Sequence, residues 1–260
     1  MLRAVAGVAR RLVYRVHFVL AGLLGVVAFL ALSLAGILAV ALFRSLADRA
    51  PHVFAHAYSR FMQVMLGWRL RAQGLEIFQS AKPAVIVGNH QSNLDIVTYG
   101  GIYPASTKAV GKKELEKIPL FGWFFRETGN ILLDRGNRRR AFDAIGEAAR
   151  RVREERLNVW MFPEGHRNQK PELLPFKKGA FHLAIAAQVP VVVVVQEPIS
   201  GVLDARRLLV RPGRLRFRVL PPIPTAGRTE ADVDALIDEV RQAMQGARDE
   251  LARDARTPIA

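Results

Sequence analysis

At 260 residues the chain is long enough to bury a full core, and one catalytic domain with an appendage is the natural organisation. Its 38 Lys and Arg against 23 Asp and Glu leave a net charge of +15, which calls for an anionic partner: nucleic acid, anionic lipid headgroups or phosphorylated small substrates. Cysteine is absent, which excludes disulfides, thiolate metal sites and a cysteine nucleophile.

The first predicted element is apolar. From Phe18 to Phe43 run 26 residues without a charge, with Ser33 as the only polar side chain. As a helix this stretch reaches roughly 39 Å, more than a hydrocarbon core of about 30 Å. It is also too long for the apolar part of a cleaved signal peptide, so it predicts membrane anchorage. Arg3, Arg10, Arg11 and Arg15 precede it, and Arg44, Arg49 and Arg60 follow it, so the flanking charge chooses no orientation. A single tilted span and a hairpin bending near Gly25 or Gly36 both fit the pattern. Next, Val53–Leu66 sets Phe54, Ala57, Phe61, Val64 and Met65 at helical spacing beside His52, His56 and Arg60. That is the pattern of an amphipathic connector lying on the membrane or against the domain. Residues 1–65 are therefore expected to be anchor and connector, and residues 66–260 the catalytic domain.

Trp68–Arg71 and Leu75–Phe78 predict a strand pair leading into an apolar strand, Ala84–Gly88. Thr107–Val110 and Asn130–Leu133 predict strands on either side of a short aromatic helix, Pro119–Glu127. A helix over Arg138–Glu155 presents Phe142, Ile145, Ala149 and Val152 on one face. Asn158–Phe162 predicts a strand and Lys178–Gln188 a helix. Val191–Val195 is apolar throughout, as a strand buried on both faces should be. Arg214–Leu220 alternates Leu215, Phe217 and Val219 with arginines, predicting a half-exposed edge strand. A final helix from about Glu230 to Arg256 carries Val233, Leu236, Val240, Met244 and Leu251 on one side. Strands and helices taking turns predict an α/β sandwich in one domain.

The chemistry concentrates after these strands. Ala84–Gly88 leads directly into Asn89-His90-Gln91-Ser92-Asn93-Leu94-Asp95. A neutral imidazole accepts a proton near pH 7, and a carboxylate beside it fixes its tautomer and raises its basicity. Downstream, Gly111-Lys112-Lys113, Asp134-Arg135 and Glu164-Gly165-His166-Arg167 each follow a predicted strand. If the strands are parallel, their carboxyl ends share one face, where open sheets bind ligands. Arg135 and Arg167 would then converge on the His90–Asp95 pair. Guanidinium forks suit a phosphate, and Lys112 adds a point charge.

Absences narrow the reaction. There is no G-x-S-x-G elbow, no Walker-type loop, no H-E-x-x-H and no paired-Asp metal pattern, so neither a covalent acyl-enzyme nor a metal is expected. No RNP-type aromatic block or helix-turn-helix signature supports a nucleic-acid partner. A base without a protein nucleophile activates a hydroxyl of the substrate itself. Phosphate-binding cations beside a membrane anchor point to a phosphorylated lipid alcohol.

Four blocks in order also carry a resemblance: N-H-x-x-x-x-D as Asn89–Asp95, K-K-E-L-x-x-I-P-x-F-G-W as Lys112–Trp123, G-x-I-x-x-D-R as Gly129–Arg135, and F-P-E-G-x-R as Phe162–Arg167. With the Leu174–Phe181 and Val189–Val192 stretches, the chain resembles the bacterial 1-acyl-sn-glycerol-3-phosphate (lysophosphatidic acid) acyltransferase family over about residues 65–225. The resemblance implies a single mixed-sheet α/β domain of the glycerolipid acyltransferase type behind an N-terminal membrane anchor. It implies direct transfer from acyl-CoA or acyl carrier protein to the free hydroxyl of lysophosphatidate at the cytoplasmic membrane, facing the cytoplasm, with membrane lipids as partners and no other cofactor. By that resemblance His90 is the base and Asp95 its partner, Arg135 and Arg167 hold the acceptor phosphate, Glu164 and Gly165 shape its pocket, and Lys112 neutralises a phosphate. The chain departs from the family at His166, where Thr or Ser is usual. That departure keeps glycerol 3-phosphate or a lyso-aminolipid as alternative acceptors. The second proline common in the Val189–Val192 stretch is also missing.

Overall fold

The computed structural model describes residues 2–134, 136, 138–204 and 206–254. Helix α1 (Leu2–Leu42) runs unbroken through Gly25 and Gly36, so the chain does not bend at either glycine. Within it, Leu12–Leu42 is long and apolar enough to cross a membrane. After a short turn at Arg44–Leu46, Pro51 sits in the first turn of α2 (Ala50–Leu66), where a missing N–H is harmless. Helix α2 returns antiparallel to α1. His17 Nε2 meets the Met65 carbonyl, and the Phe29 ring packs edge-on against Tyr58 and Phe54 at 5.2 and 5.3 Å. Ala21, Ser33, Ile37 and Val40 of α1 face inward, while Leu23, Leu24, Val26, Val27, Leu34 and Leu38 are exposed.

The rest follows in order: β1 (Trp68–Gln73), α3 (Ile77–Ser80), β2 (Val85–Gly88), α4 (Asp95–Thr98), β3 (Thr107–Lys112), α5 (Phe121–Glu127), β4 (Ile131–Leu133), α6 (Arg138–Glu154), β5 (Asn158–Met161), α7 (Gly179–Ala187), β6 (Val191–Gln196), the small hairpin β7 (Leu203–Asp204) and β8 (Leu209–Val210), β9 (Gly213–Val219) and α8 (Val233–Asp254). Seven strands form one sheet in the order β1-β9-β6-β2-β5-β3-β4. The five from β6 to β4 are mutually parallel, and β9 and β1 run the other way. The sheet is mixed, and the fold is an α/β sandwich.

Alternate residues of each central strand serve two cores, which is why those strands read as unbroken apolar runs. Val85, Val87, Val191, Val193 and Val195 meet Val152, Phe181, Leu236, Val240 and Met244 of α6, α7 and α8. Ile86, Val192 and Val194 point the other way, into a layer with Tyr58, Met62 and Leu66 of α2. A third cluster joins Ile37 of α1 and Phe54 of α2 to Phe121, Phe124 and Phe125 of α5. A Cβ at Gly36 would stand 2.4 Å from the Phe124 ring, so this close approach requires glycine.

Two expectations are corrected. Leu75–Phe78 is a turn followed by α3, not a strand. Four residues with apolar side chains at 75, 77 and 78 fit either period, and Gly74, at φ +80°, turns the chain off the sheet. Arg214–Leu220 has the predicted alternation, with Leu215, Phe217 and Val219 buried, but β9 is not an edge. It lies between β1 and β6, and β1 forms the border. Alternation reports what covers the two faces of a strand and says nothing of its in-plane neighbours. Here the arginine face is met by α8, where Arg216 donates to the Leu251 carbonyl and Arg218 pairs with Glu250. The predicted side-chain placement of Phe142 lies outside the described residues; Ala149 and Val152 of the same helix face are buried.

Candidate active site

Because β6, β2, β5, β3 and β4 are parallel, the blocks after them open on one border of the sheet. At the centre, β2 ends at Gly88 and delivers His90. Its Nδ1 lies 2.6 Å from Asp95 Oδ2, at the start of α4. The same oxygen accepts the Gln91 backbone N–H at 2.7 Å. A carboxylate accepting two N–H groups leaves the imidazole proton on Nδ1, so the Nε2 lone pair is available. Among the described residues nothing bonds to Nε2. Asp95 is buried, whereas the His90 side chain is 24% exposed, so the dyad has a protected inner end and an open outer one. The imidazole also stacks on Phe162, 4.3 Å between centroids and 14° between planes, which holds its orientation.

Glu164 lies behind the dyad, fully buried: Oε1 accepts the His90 N–H and Oε2 the Leu174 N–H, both at 3.0 Å. The His90 carbonyl accepts the Asn168 N–H at 2.7 Å. Both backbone groups of His90 are thus held by the loop after β5. Gly165, at φ +69°, turns that loop in the left-handed region that favours glycine. On the opposite flank, Asn89 exchanges hydrogen bonds with the Gln196 backbone, and Gln91 donates to the Gln196 and Glu197 carbonyls. Tyr99 donates to Asn89, and its phenol is pushed well above its ordinary range by burial, reinforced by Asp95 and Glu164, so it remains a donor.

The predicted residues fall unevenly on this plan. His90, Asp95, Glu164 and Gly165 are brought together. Arg167 is exposed on the same loop, with no hydrogen-bond or ion-pair partner among the described residues, and His166 is exposed next to it. Lys112 is exposed at the end of β3, on the same border. Arg135 lies outside the described residues; its neighbour Asp134 is 3.6 Å from Lys113 Nζ. Among the described residues no group of three His, Cys, Asp or Glu side chains could hold a metal. Sequence reasoning missed the roles of Asn89, Gln91, Tyr99, Phe162 and Asn168 around the ring. Asn89 and Gln91 flank His90, and polar residues after a wholly apolar strand were the available signal.

The Acyltransferase family model matches residues 69–197, a span that contains all of these strand ends. The 1-acyl-sn-glycerol-3-phosphate acyltransferase of Escherichia coli (strain K12) is 37% identical over 192 residues, 74% of this chain and 77% of that one. The human 1-acyl-sn-glycerol-3-phosphate acyltransferase alpha is 36% identical over 195 residues, 75% and 69% of the two chains. The crystal structure of the 1-acyl-sn-glycerophosphate (LPA) acyltransferase from Thermotoga maritima superposes with a TM-score of 0.74, covering 96% of this chain and 99% of that one; at 23% identity it speaks for the fold. With a shared fold and this degree of identity over most of both sequences, the chain belongs to the acyltransferase family, among the 1-acyl-sn-glycerol-3-phosphate acyltransferases.

Proposed function

We propose that this protein transfers an acyl chain from acyl-CoA or acyl carrier protein to the free hydroxyl of lysophosphatidate, giving phosphatidate, with His90 as general base. The observation that carries this reading is the 2.6 Å contact between Asp95 and His90 Nδ1, with Nε2 left open at the rim. The acceptor hydroxyl gives its proton to Nε2 as its oxygen bonds to the thioester carbonyl carbon. The tetrahedral intermediate collapses with cleavage of the C–S bond, and the departing thiolate takes the proton back from the imidazolium. No acyl-enzyme forms, and the donor is the only cofactor-like component. Backbone N–H groups of Ser92 and Asn93, which have no protein acceptor among the described residues, are suited to the developing oxyanion.

Arg167, Arg135 and Lys112 are assigned to the acceptor and donor phosphates, and Glu164 and Gly165 to the shape of the pocket. The exposed His166 beside Arg167 favours one second reading, in which the acceptor is glycerol 3-phosphate or a lyso-aminolipid. A panel of lyso-acceptors with and without phosphate separates the two. Residues 1–65 act as anchor and connector for the domain 66–260 at the cytoplasmic membrane, with the site facing the cytoplasm. The packing of α1 along α2 and α5 supports a helix lying in one leaflet, its exposed leucines and valines toward lipid, rather than a span standing clear of the domain. In purified membranes His90→Ala should abolish transfer from both donors to lysophosphatidate while expression persists. Near-normal turnover in that variant rules out the mechanism.

A further inference from the structure

The loop that brackets His90 is itself held from behind by α8, which lies outside the four sequence blocks. Arg241, Gln245 and Arg248 are spaced four and three residues apart, so they share one helix face. Arg241 donates to the Leu173 carbonyl at 2.9 Å, and Gln245 accepts the Leu173 N–H at 3.1 Å. Gln245 also donates to the Pro171 carbonyl at 3.2 Å. Arg248 completes the seam, donating to the carbonyls of Pro171 at 2.8 Å and Lys170 at 2.5 Å. From there the path to the site is short. Asn168 caps residues 170 and 172 through its side chain and donates its N–H to the His90 carbonyl, while Glu164 takes the His90 N–H.

Arg248 is the unusual member. It is 2% exposed, and its Nε has no hydrogen-bond partner among the described residues. A buried guanidinium is costly unless an opposite charge lies near. Burial pulls its pKa below the ordinary arginine value, and Glu164, equally buried, is the acid that opposes this most. A core whose only task was packing would be served as well by an apolar side chain of similar volume. Here the buried cation holds the carbonyls of the 170–171 turn, and Glu164, which takes the His90 N–H, is the acid that most favours its charge.

We propose that Arg248 is a positioning residue for acyl transfer: by clamping the 170–171 carbonyls and opposing the charge of Glu164, it sets the loop that fixes the His90 backbone and aims Arg167. The inference rests on His90 being the base. It places a determinant of turnover on the C-terminal helix, some 80 residues downstream of Glu164.

The test uses the full-length protein in detergent, with lysophosphatidate and acyl-CoA as probes. R248M should lower kcat/KM for the acceptor on the order of 10²-fold, as a misplacement of about an ångström does. Part of that loss should appear as a raised acceptor KM, with the donor KM unchanged. A purely structural role would lower the folded fraction and leave both KM values alone. Because Arg248 acts through Glu164, R248M and E164Q combined should be no worse than the more damaging single change. R248K, which keeps the charge but loses the fork, should recover part of the activity. Turnover within twofold of the unaltered protein in R248M, or losses that multiply in the double variant, overturns the proposal. If R248M does not fold, the R248K/E164Q pair decides by the same additivity criterion. Full turnover in His90→Ala would defeat the base assignment instead, whereas a dead His90→Ala beside a fully active R248M defeats only the clamp.

Discussion

Asp95 accepts two N–H groups through one oxygen and is almost wholly removed from solvent, with its second oxygen, Oδ1, buried and without a partner among the described residues. A carboxylate so placed takes the Nδ1 proton of the ring it faces and so dictates which nitrogen carries it. Asp95→Asn retains shape but offers an amide that can donate as well as accept, which allows the wrong imidazole tautomer. In an analogous dyad that exchange costs about 10⁴ in kcat, and a loss of about 10³- to 10⁴-fold is expected here. Steady-state turnover at saturating lysophosphatidate measures it, and a loss below tenfold would separate Asp95 from the proton transfer. Glu164 has a different task. Its two oxygens hold backbone amides of His90 and Leu174, so it shapes the site through the main chain.

At the scale of elements, α1 is joined to the domain by packing as well as by connectivity. Phe124 of α5 rests on Gly36, and Phe54, Phe121 and Phe29 fill the angle between α1, α2 and α5, with the Phe29 and Phe121 rings 4.5 Å apart. Gly36→Leu should push the Phe124 ring out of place. Overpacking of this kind costs typically about 1–3 kcal/mol, seen as a lowered midpoint of thermal unfolding in detergent. Gly22→Leu, on the same helix with nothing near its added Cβ, is the control and should leave that midpoint unchanged. Lys108 ties the same corner: buried in β3, its ammonium donates to Asp48 at 2.8 Å and to the Thr128 carbonyl at 2.7 Å. The loop between α1 and α2 is thereby fastened to the sheet.

For the whole molecule, these contacts change what removal of α1 does. A span standing clear of its domain can be clipped away, leaving a soluble enzyme. Here α1 covers Tyr58, Met62, Phe121 and Phe124 along its length, while its opposite face remains apolar and exposed. Deleting residues 1–42 uncovers a patch of aromatic and aliphatic side chains of the kind that drives association. The truncated protein is expected to elute from size exclusion as aggregate unless detergent is present. Recovery of a monodisperse, fully active truncated monomer without detergent would contradict the role assigned to this packing. The +15 charge belongs at this scale too, since it favours association with anionic surfaces and falls in effect as salt screens it.

Much of this protein was legible along the chain because its signals are local. Val191–Val195 announces a strand covered on both faces, the long apolar stretch announces a helix that lipid can accept, and a His and an Asp five residues apart need only one turn to meet. Leu75–Phe78 was misread because four residues are too few to separate two periods, and β9 was misread because alternation carries no information about lateral neighbours. The holding of His90 from behind could not be read at all. It depends on Glu164, Asn168 and Arg248, which lie 74, 78 and 158 positions further on and meet His90 or its loop only when strand order and the return of α8 are settled. Residue types and their short-range spacing thus determined the elements and the meeting of His90 with Asp95. The tertiary structure alone decided which distant side chains stand behind that pair, because hydrogen bonds form by distance in space and not by distance along the chain.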